Sequence, residues 1–169
     1  METLTETSIA AEASSLLGEE VSDYERERGK PMPSKVHAAT QTNVIIALAR
    51  YKKQYKQLTE LSLRLDGEKL VPDIALYALS ASDWHENESE MTLAPLLCIE
   101  IVSPTQSIDE MKEKADKYFA AGVRSVWLVL PALAGVMVLH ANTKARFFSE
   151  GDLLDNELGI SIPVDEVFE

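Results

Sequence analysis

Two acids stand where charge is costly. Glu100 interrupts Leu96-Leu97-Cys98-Ile99-Glu100-Ile101-Val102, and Asp73 follows Pro72 within Leu70-Val71-Pro72-Asp73-Ile74-Ala75-Leu76-Tyr77. Continuous apolar runs of this length read as strands buried on both faces of a sheet. A carboxylate in such a run neutralises, finds a partner or holds a metal ion. Downstream, a helical pattern carries Lys112, Lys114 and Lys117. Two strand-borne acids and a nearby lysine are the parts of a divalent-cation site. Asp73 and Glu100 supply hard oxygen ligands of the kind Mg²⁺ (or Mn²⁺) takes, and the Ile101 backbone carbonyl is a candidate third. Such a site offers Lewis acidity and an activated water, while a lysine at its edge meets developing negative charge. Phosphodiester hydrolysis needs that combination.

The elements that must position these residues are readable in order. Ser34 is a plausible N-cap for a helix running to about Tyr55, with Val36, Ala38, Gln41, Ile45 and Leu48 on one side. Alternating Leu61, Leu63 and Leu65 predict a strand from Leu58 to Leu65. Asp66-Gly67 is a two-residue hairpin turn, because glycine tolerates positive φ, and the return strand runs from about Lys69 to Leu79. The Glu100 strand spans about Leu96 to Val102 and ends at Ser103-Pro104.

Ser107 with Glu110 three residues on is a capping-box signature for the lysine helix, and Gly122 fits its stop. Its apolar stripe is Ile108, Met111, Ala115, Tyr118 and Phe119. Lys114 and Lys112 border opposite edges of that stripe, whereas Lys117 faces away; geometry leaves both Lys114 and Lys112 as candidates. Ser125 to Leu130 is a further strand, closed by Pro131. Gly135–His140 and Ala145–Ser149 read as an antiparallel hairpin, and a short terminal turn is expected near Val164 to Phe168. The first segment holds a candidate helix around Ile9 to Leu17, and Tyr24 to Pro33 reads as extended chain entering a turn. The fold class is α/β (α+β): a mixed central β-sheet flanked by helices, with a C-terminal β-hairpin. A right-handed parallel crossover joins the Glu100 and Ser125 strands through the lysine helix.

At 169 residues, with 46% hydrophobic and 26% charged residues, the chain fits one ordinary globular domain. Its apolar stretches are too short to span a bilayer, and it opens on no secretory pattern, so a cytoplasmic location and no membrane are expected. A lone Cys98 in a core strand is a packed thiol. The net charge of −12 speaks against a nucleic-acid partner until its distribution is read. Residues 24–56 hold eight Lys/Arg against two acids, a net +6, which leaves −18 for the rest. Lys30, Lys35, Arg50 and Lys53 in that basic segment are candidate phosphate contacts. The segments 1–23 and 150–169 are acidic and contain no Lys or Arg. The expected organisation is therefore an acidic N-terminal segment (1–23), a central domain (24–149) and an acidic C-terminal segment (150–169) packed on that domain. An acidic tail folding over the basic segment as an autoinhibitor is a further expectation of this charge pattern.

Several motifs together resemble the bacterial putative restriction endonuclease domain family, a branch of the PD-(D/E)xK nuclease superfamily. They are Tyr24-Glu25 with Gly29, His37 at the start of the first core helix, Pro72-Asp73-Ile74, and Glu100-Ile101-Val102-Ser103-Pro104. Lys114, Tyr118, Gly122-Val123 and Trp127 complete the series, so the resemblance covers Tyr24 to about Leu139. It implies a restriction endonuclease-like core, a Mg²⁺- or Mn²⁺-dependent endonuclease acting on DNA, and a homodimer as a candidate assembly. The lysine that the superfamily places two residues after the acid is Val102 here. In this family it has moved onto the following helix, which favours Lys114 over Lys112. The resemblance also makes Glu25 an accessory acid and His37 a site-lining residue.

The structural alternatives are definite. Glu100 could be a buried acid paired with Lys114 in an ion network of a non-catalytic binding or regulatory protein. Asp73 could merely cap a strand, and Tyr118, Phe119 and Trp127 are most simply core. His85 and His140 read as ordinary loop and strand residues.

Overall fold

The computed structural model describes residues 21–169. The chain divides into a small unit ending at Met32 and a larger one, Pro33–Glu169. In the small unit, Asp23–Arg28 forms a helix (α1) rather than extended chain. Ser22 and Glu25 make a reciprocal capping box there, the same signal that marks Ser107 and Glu110. Gly29 ends the helix at φ 66°, a conformation glycine adopts without a Cβ clash. The candidate helix around Ile9 to Leu17 lies outside the described residues.

The larger unit begins with α2, Lys35–Leu48, whose N-terminal Ser34 hydroxyl accepts from the His37 amide. The helix stops seven residues before the expected Tyr55, passing into a 3₁₀ turn at Ala49–Tyr51. Its buried face is His37, Thr40, Val44, Ala47 and Leu48, whereas Val36 and Ile46 are exposed. Apolar residues are spread around this helix, so packing partners rather than periodicity select the face.

Next come β1 (Tyr55–Thr59), β2 (Leu63–Leu65), β3 (Glu68–Leu70) and β4 (Ile74–Ala78). The two long strands expected here are thus each divided. The Asp66-Gly67 turn joins β2 to β3 as a separate two-stranded ribbon, while β1 pairs antiparallel with β4. Pro72, which has no N–H for a sheet ladder, lies in the break between β3 and β4.

The remaining core elements are β5 (Leu97–Ile101), α3 (Ile108–Ala120), β6 (Ser125–Leu130), β7 (Gly135–His140) and β8 (Arg146–Phe148). The six-stranded sheet runs β1-β4-β5-β6-β7-β8. β5 and β6 are parallel, with Glu100 beside Leu128; the other pairs are antiparallel. The sheet is therefore mixed, as expected, and α3 is the crossover.

The acidic tail holds more structure than a terminal turn. It forms a hairpin of β9 (Asp152–Asp155) and β10 (Ile160–Pro163), then α4 (Asp165–Phe168). Leu153, Leu158, Ile160, Ile162, Val164 and Val167 from this segment join Val44, Leu48, Trp127 and Val138 in one apolar layer. The opposite face of the sheet carries a second layer, where Met111, Ala115 and Tyr118 of α3 meet Ala75, Tyr77, Cys98 and the β2–β3 ribbon. Among the described residues, no helix is long and apolar enough to cross a membrane.

One tail acid is itself in the core. Asp155 is fully buried and accepts from Trp127 Nε1 at 2.8 Å and from the amides of Glu157 and Leu158 at 3.1 and 3.3 Å. His140 Nε2 lies 3.1 Å from the same carboxylate, which gives this histidine more than an ordinary strand role. Replacing Asp155 with alanine leaves the buried Trp127 N–H without its acceptor. We expect a loss of about 2–4 kcal/mol in denaturant unfolding; a change below ~0.5 kcal/mol would contradict the network's role.

Candidate active site

Alternation along β5 decides where Glu100 points. On β5, Leu97, Ile99 and Ile101 enter the layer beneath α2, whereas Cys98 enters the layer beneath α3. Glu100 shares the parity of Cys98 and so faces α3. On β4, Ile74 and Leu76 face the first layer and Ala75 and Tyr77 the second, and Asp73 immediately precedes this strand. The register Ile74↔Ile99, Ala75↔Cys98 and Leu76↔Leu97 brings the residue before β4 to the end of β5 that carries Glu100 and Ile101. Both acids are buried, at 1% and 2% exposure.

The Asp73 carboxylate docks on its neighbour strand. Its Oδ2 accepts from the Ile101 amide at 2.7 Å and lies 3.2 Å from His37 Nε2. Gln41 Nε2 donates to the Asp73 carbonyl at 2.9 Å. The start of α2 therefore supplies two polar side chains, His37 and Gln41, to this corner. His37 is buried, with Nδ1 lacking a hydrogen-bond partner among the described residues.

Glu100 is held from α3. Its Oε1 accepts from Tyr118 Oη at 2.6 Å and pairs with Lys114 Nζ at 2.8 Å. Lys114 and Tyr118 are four residues apart and so lie on one helix face. Burial pushes the Tyr118 hydroxyl well above the ordinary tyrosine range, and the charges of Glu100 and, more weakly, Asp73 raise it further. One hydroxyl thus feels both carboxylates. Burial, with Glu100's charge, likewise raises Cys98, which makes it the inert packed thiol expected.

The structure separates the two candidate lysines. Lys112 is exposed and lies 3.4 Å from Asp116, one turn along the same helix. Lys114 reaches inward with its side chain 20% exposed. Lys117 pairs with Glu68 on the surface.

Glu25 is engaged within its own unit. Its oxygens accept from the Ser22 amide and hydroxyl at 2.8 and 2.9 Å and from the Met32 amide at 3.1 Å. The backbone bonds from Ser22 and Met32 lower its pKa. Of the basic candidates, Arg50 is paired with Glu166, while Lys35 and Lys53 are exposed at opposite ends of the α2 region. Lys30 belongs to the smaller unit.

A cavity of about 550 Å³ is lined by His37, Ile101, Val102, Pro104, Leu130 and Pro131 among others, with none of Asp73, Glu100 and Lys114 in its wall. It lies at the C-terminal ends of the parallel pair β5 and β6, where open α/β sheets hold their ligands. Ile108, placed on the core stripe by periodicity, is 45% exposed and lines this cavity instead.

The donor set suits a hard cation. Among the described residues, no cluster of three or more His, Cys, Asp or Glu exists. Magnesium, which is bound by one or two carboxylates and keeps several waters, asks for fewer protein ligands than an all-protein cage supplies. Both contacts of Glu100 fall on one oxygen, so ligation through Oε2 leaves them intact.

A family model, Uma2, "Putative restriction endonuclease", matches residues 20–165. Among solved structures, the crystal structure of a putative nuclease belonging to DUF820 from Anabaena variabilis ATCC 29413 matches with a TM-score of 0.71. That match covers 82% of this chain and 83% of that chain at 22% sequence identity, a likeness of fold. No curated protein matches.

Proposed function

Because the chain belongs to the Uma2 family, "Putative restriction endonuclease", we propose that it is a Mg²⁺- or Mn²⁺-dependent endonuclease hydrolysing DNA phosphodiester bonds. The observation that carries this reading is a pair of buried acids on neighbouring chain segments: Asp73 docks on the Ile101 amide, next to Glu100, and Glu100 pairs with the Lys114 ammonium. Asp73 and Glu100 hold the cation, with the Ile101 carbonyl as a third oxygen. The bound cation supplies Lewis acidity at the phosphoryl oxygens. Lys114 donates to the charge that develops as the phosphodiester is attacked. His37 holds Asp73 through Nε2, and the cavity it shares with Ile101 accepts a substrate group.

Glu25 is given no ligand role in this set; it belongs to the smaller unit, where its carboxylate accepts from Ser22 and Met32. Lys35 is the favoured phosphate contact, since it lies two residues from His37 at the start of α2. Lys53 follows the far end of a helix about 20 Å long.

The test combines calorimetry with cleavage. Wild-type protein should bind Mg²⁺ or Mn²⁺ saturably and cleave DNA in its presence, and Asp73→Ala should lose both. Equal cleavage by the two proteins would refute the assigned site. One observation favours the second reading: Lys114 and Tyr118 already satisfy one oxygen of Glu100. A binding or regulatory protein that uses this network only for stability predicts no saturable cation binding, with a marked stability loss on Asp73→Ala.

A further inference from the structure

Tyr118 is fully buried, and its ring packs with Met111, Ala115, Cys98 and Leu128 between α3 and the sheet. Phenylalanine would serve that packing equally well. A hydroxyl in the same place costs free energy unless it is bonded, and its proton goes to Glu100 Oε1 at 2.6 Å. Lys114 contacts the same oxygen, but through a four-carbon chain with water within reach. An ammonium on such a chain can move when a divalent cation arrives, and like charge pushes it to do so. The tyrosine ring, locked by core packing, cannot.

We propose that Tyr118 is a positioning residue that fixes Glu100 Oε1, and thereby turns Oε2 toward the cation. The inference rests on the reading of Asp73 and Glu100 as cation ligands. It assigns opposite consequences to the two partners of one oxygen. Removing the Tyr118 hydroxyl frees the carboxylate to rotate, so cation affinity falls. Removing the Lys114 ammonium relieves repulsion, so cation affinity rises even as turnover is lost. Hydrogen-bonding partners that orient a metal ligand are typically worth 10–100-fold in affinity or activity.

The experiment is Mg²⁺ and Mn²⁺ titration of three full-length proteins by calorimetry: wild type, Tyr118→Phe and Lys114→Met. The expected result is binding at least about 10-fold weaker in Tyr118→Phe and tighter in Lys114→Met. Wild-type affinity in a folded Tyr118→Phe overturns the positioning role but leaves the cation site standing. Absence of binding in the wild type overturns the cation site, and the positioning role with it.

A measurement on the wild type keeps the test independent of how Tyr118→Phe folds. A hydroxyl proton held against a buried carboxylate should give a downfield, slowly exchanging proton resonance. It should persist when Mg²⁺ is added. Disappearance on adding the cation would mean that Glu100 releases the hydroxyl when it binds metal, and the proposal would fail.

Discussion

Glu100→Gln should abolish cation-dependent DNA cleavage while leaving the fold near wild-type stability, whereas Glu100→Ala should lose both. A Lewis-acid contribution of several kcal/mol corresponds to a rate loss of about 10³-fold or more for either substitution. Stability separates them. Glutamine keeps a carbonyl oxygen that can accept from the Tyr118 hydroxyl, which sits 2.6 Å from Oε1. Alanine leaves that fully buried hydroxyl without its acceptor, at a cost of about 1–3 kcal/mol. Lys114 adds less, because a side chain already 20% exposed can turn to water. Single-turnover cleavage paired with urea unfolding measures both quantities. A Glu100→Gln protein that cleaves DNA at the wild-type rate would remove Glu100 from the chemistry.

Deleting residues 150–169 should unfold the larger unit rather than release an inhibited enzyme. Six apolar side chains of this segment, from Leu153 to Val167, are at most 7% exposed in the layer that also holds Trp127 and Leu48. At about 1.5–3 kcal/mol each, their burial rivals the roughly 5–15 kcal/mol by which a domain is stable at all. Polar ties point the same way. Tyr51 Oη donates to the Ser161 carbonyl at 2.9 Å and accepts from the Ser161 amide at 2.7 Å. Tyr55 Oη donates to the Leu158 carbonyl at 2.6 Å, and Asn43 Nδ2 to the Glu169 carbonyl at 2.7 Å. The acidic tail does meet the basic segment through Arg50 and Glu166, as its charge suggested, but as part of the core structure. Circular dichroism of the 1–149 fragment decides the matter. A cooperative melt near the wild-type temperature, together with raised nucleic-acid affinity at low salt, would restore the autoinhibitory reading.

The tail shows why parts of the fold escape local reading. Its strands are four residues each and carry acids at Asp152 and Asp155, so composition alone reads as solvated chain. The usable signal was Asp155 followed by Asn156-Glu157-Leu158-Gly159, where an aspartate can accept from amides two and three residues on. At α1, a local signal was present and unambiguous, Ser22 with Glu25 three residues later. In α2 it was absent, because apolar residues surround the helix and only its neighbours decide which are buried.

What the chain declares locally is the cost of charge. An acid inside a continuous apolar run has few physical outcomes, and that reasoning alone singles out Asp73 and Glu100. Turn and cap chemistry also acts over a few residues, so the Asp66-Gly67 turn, the Ser107–Glu110 box and the parallel crossover follow without a partner structure. Tertiary structure alone decides the rest: which strand faces which, whether Lys114 or Lys112 turns inward, and what the Tyr118 hydroxyl touches. Those outcomes depend on contacts between residues far apart in sequence, settled by the joint packing of sheet and helices. No periodicity along a single segment carries that information.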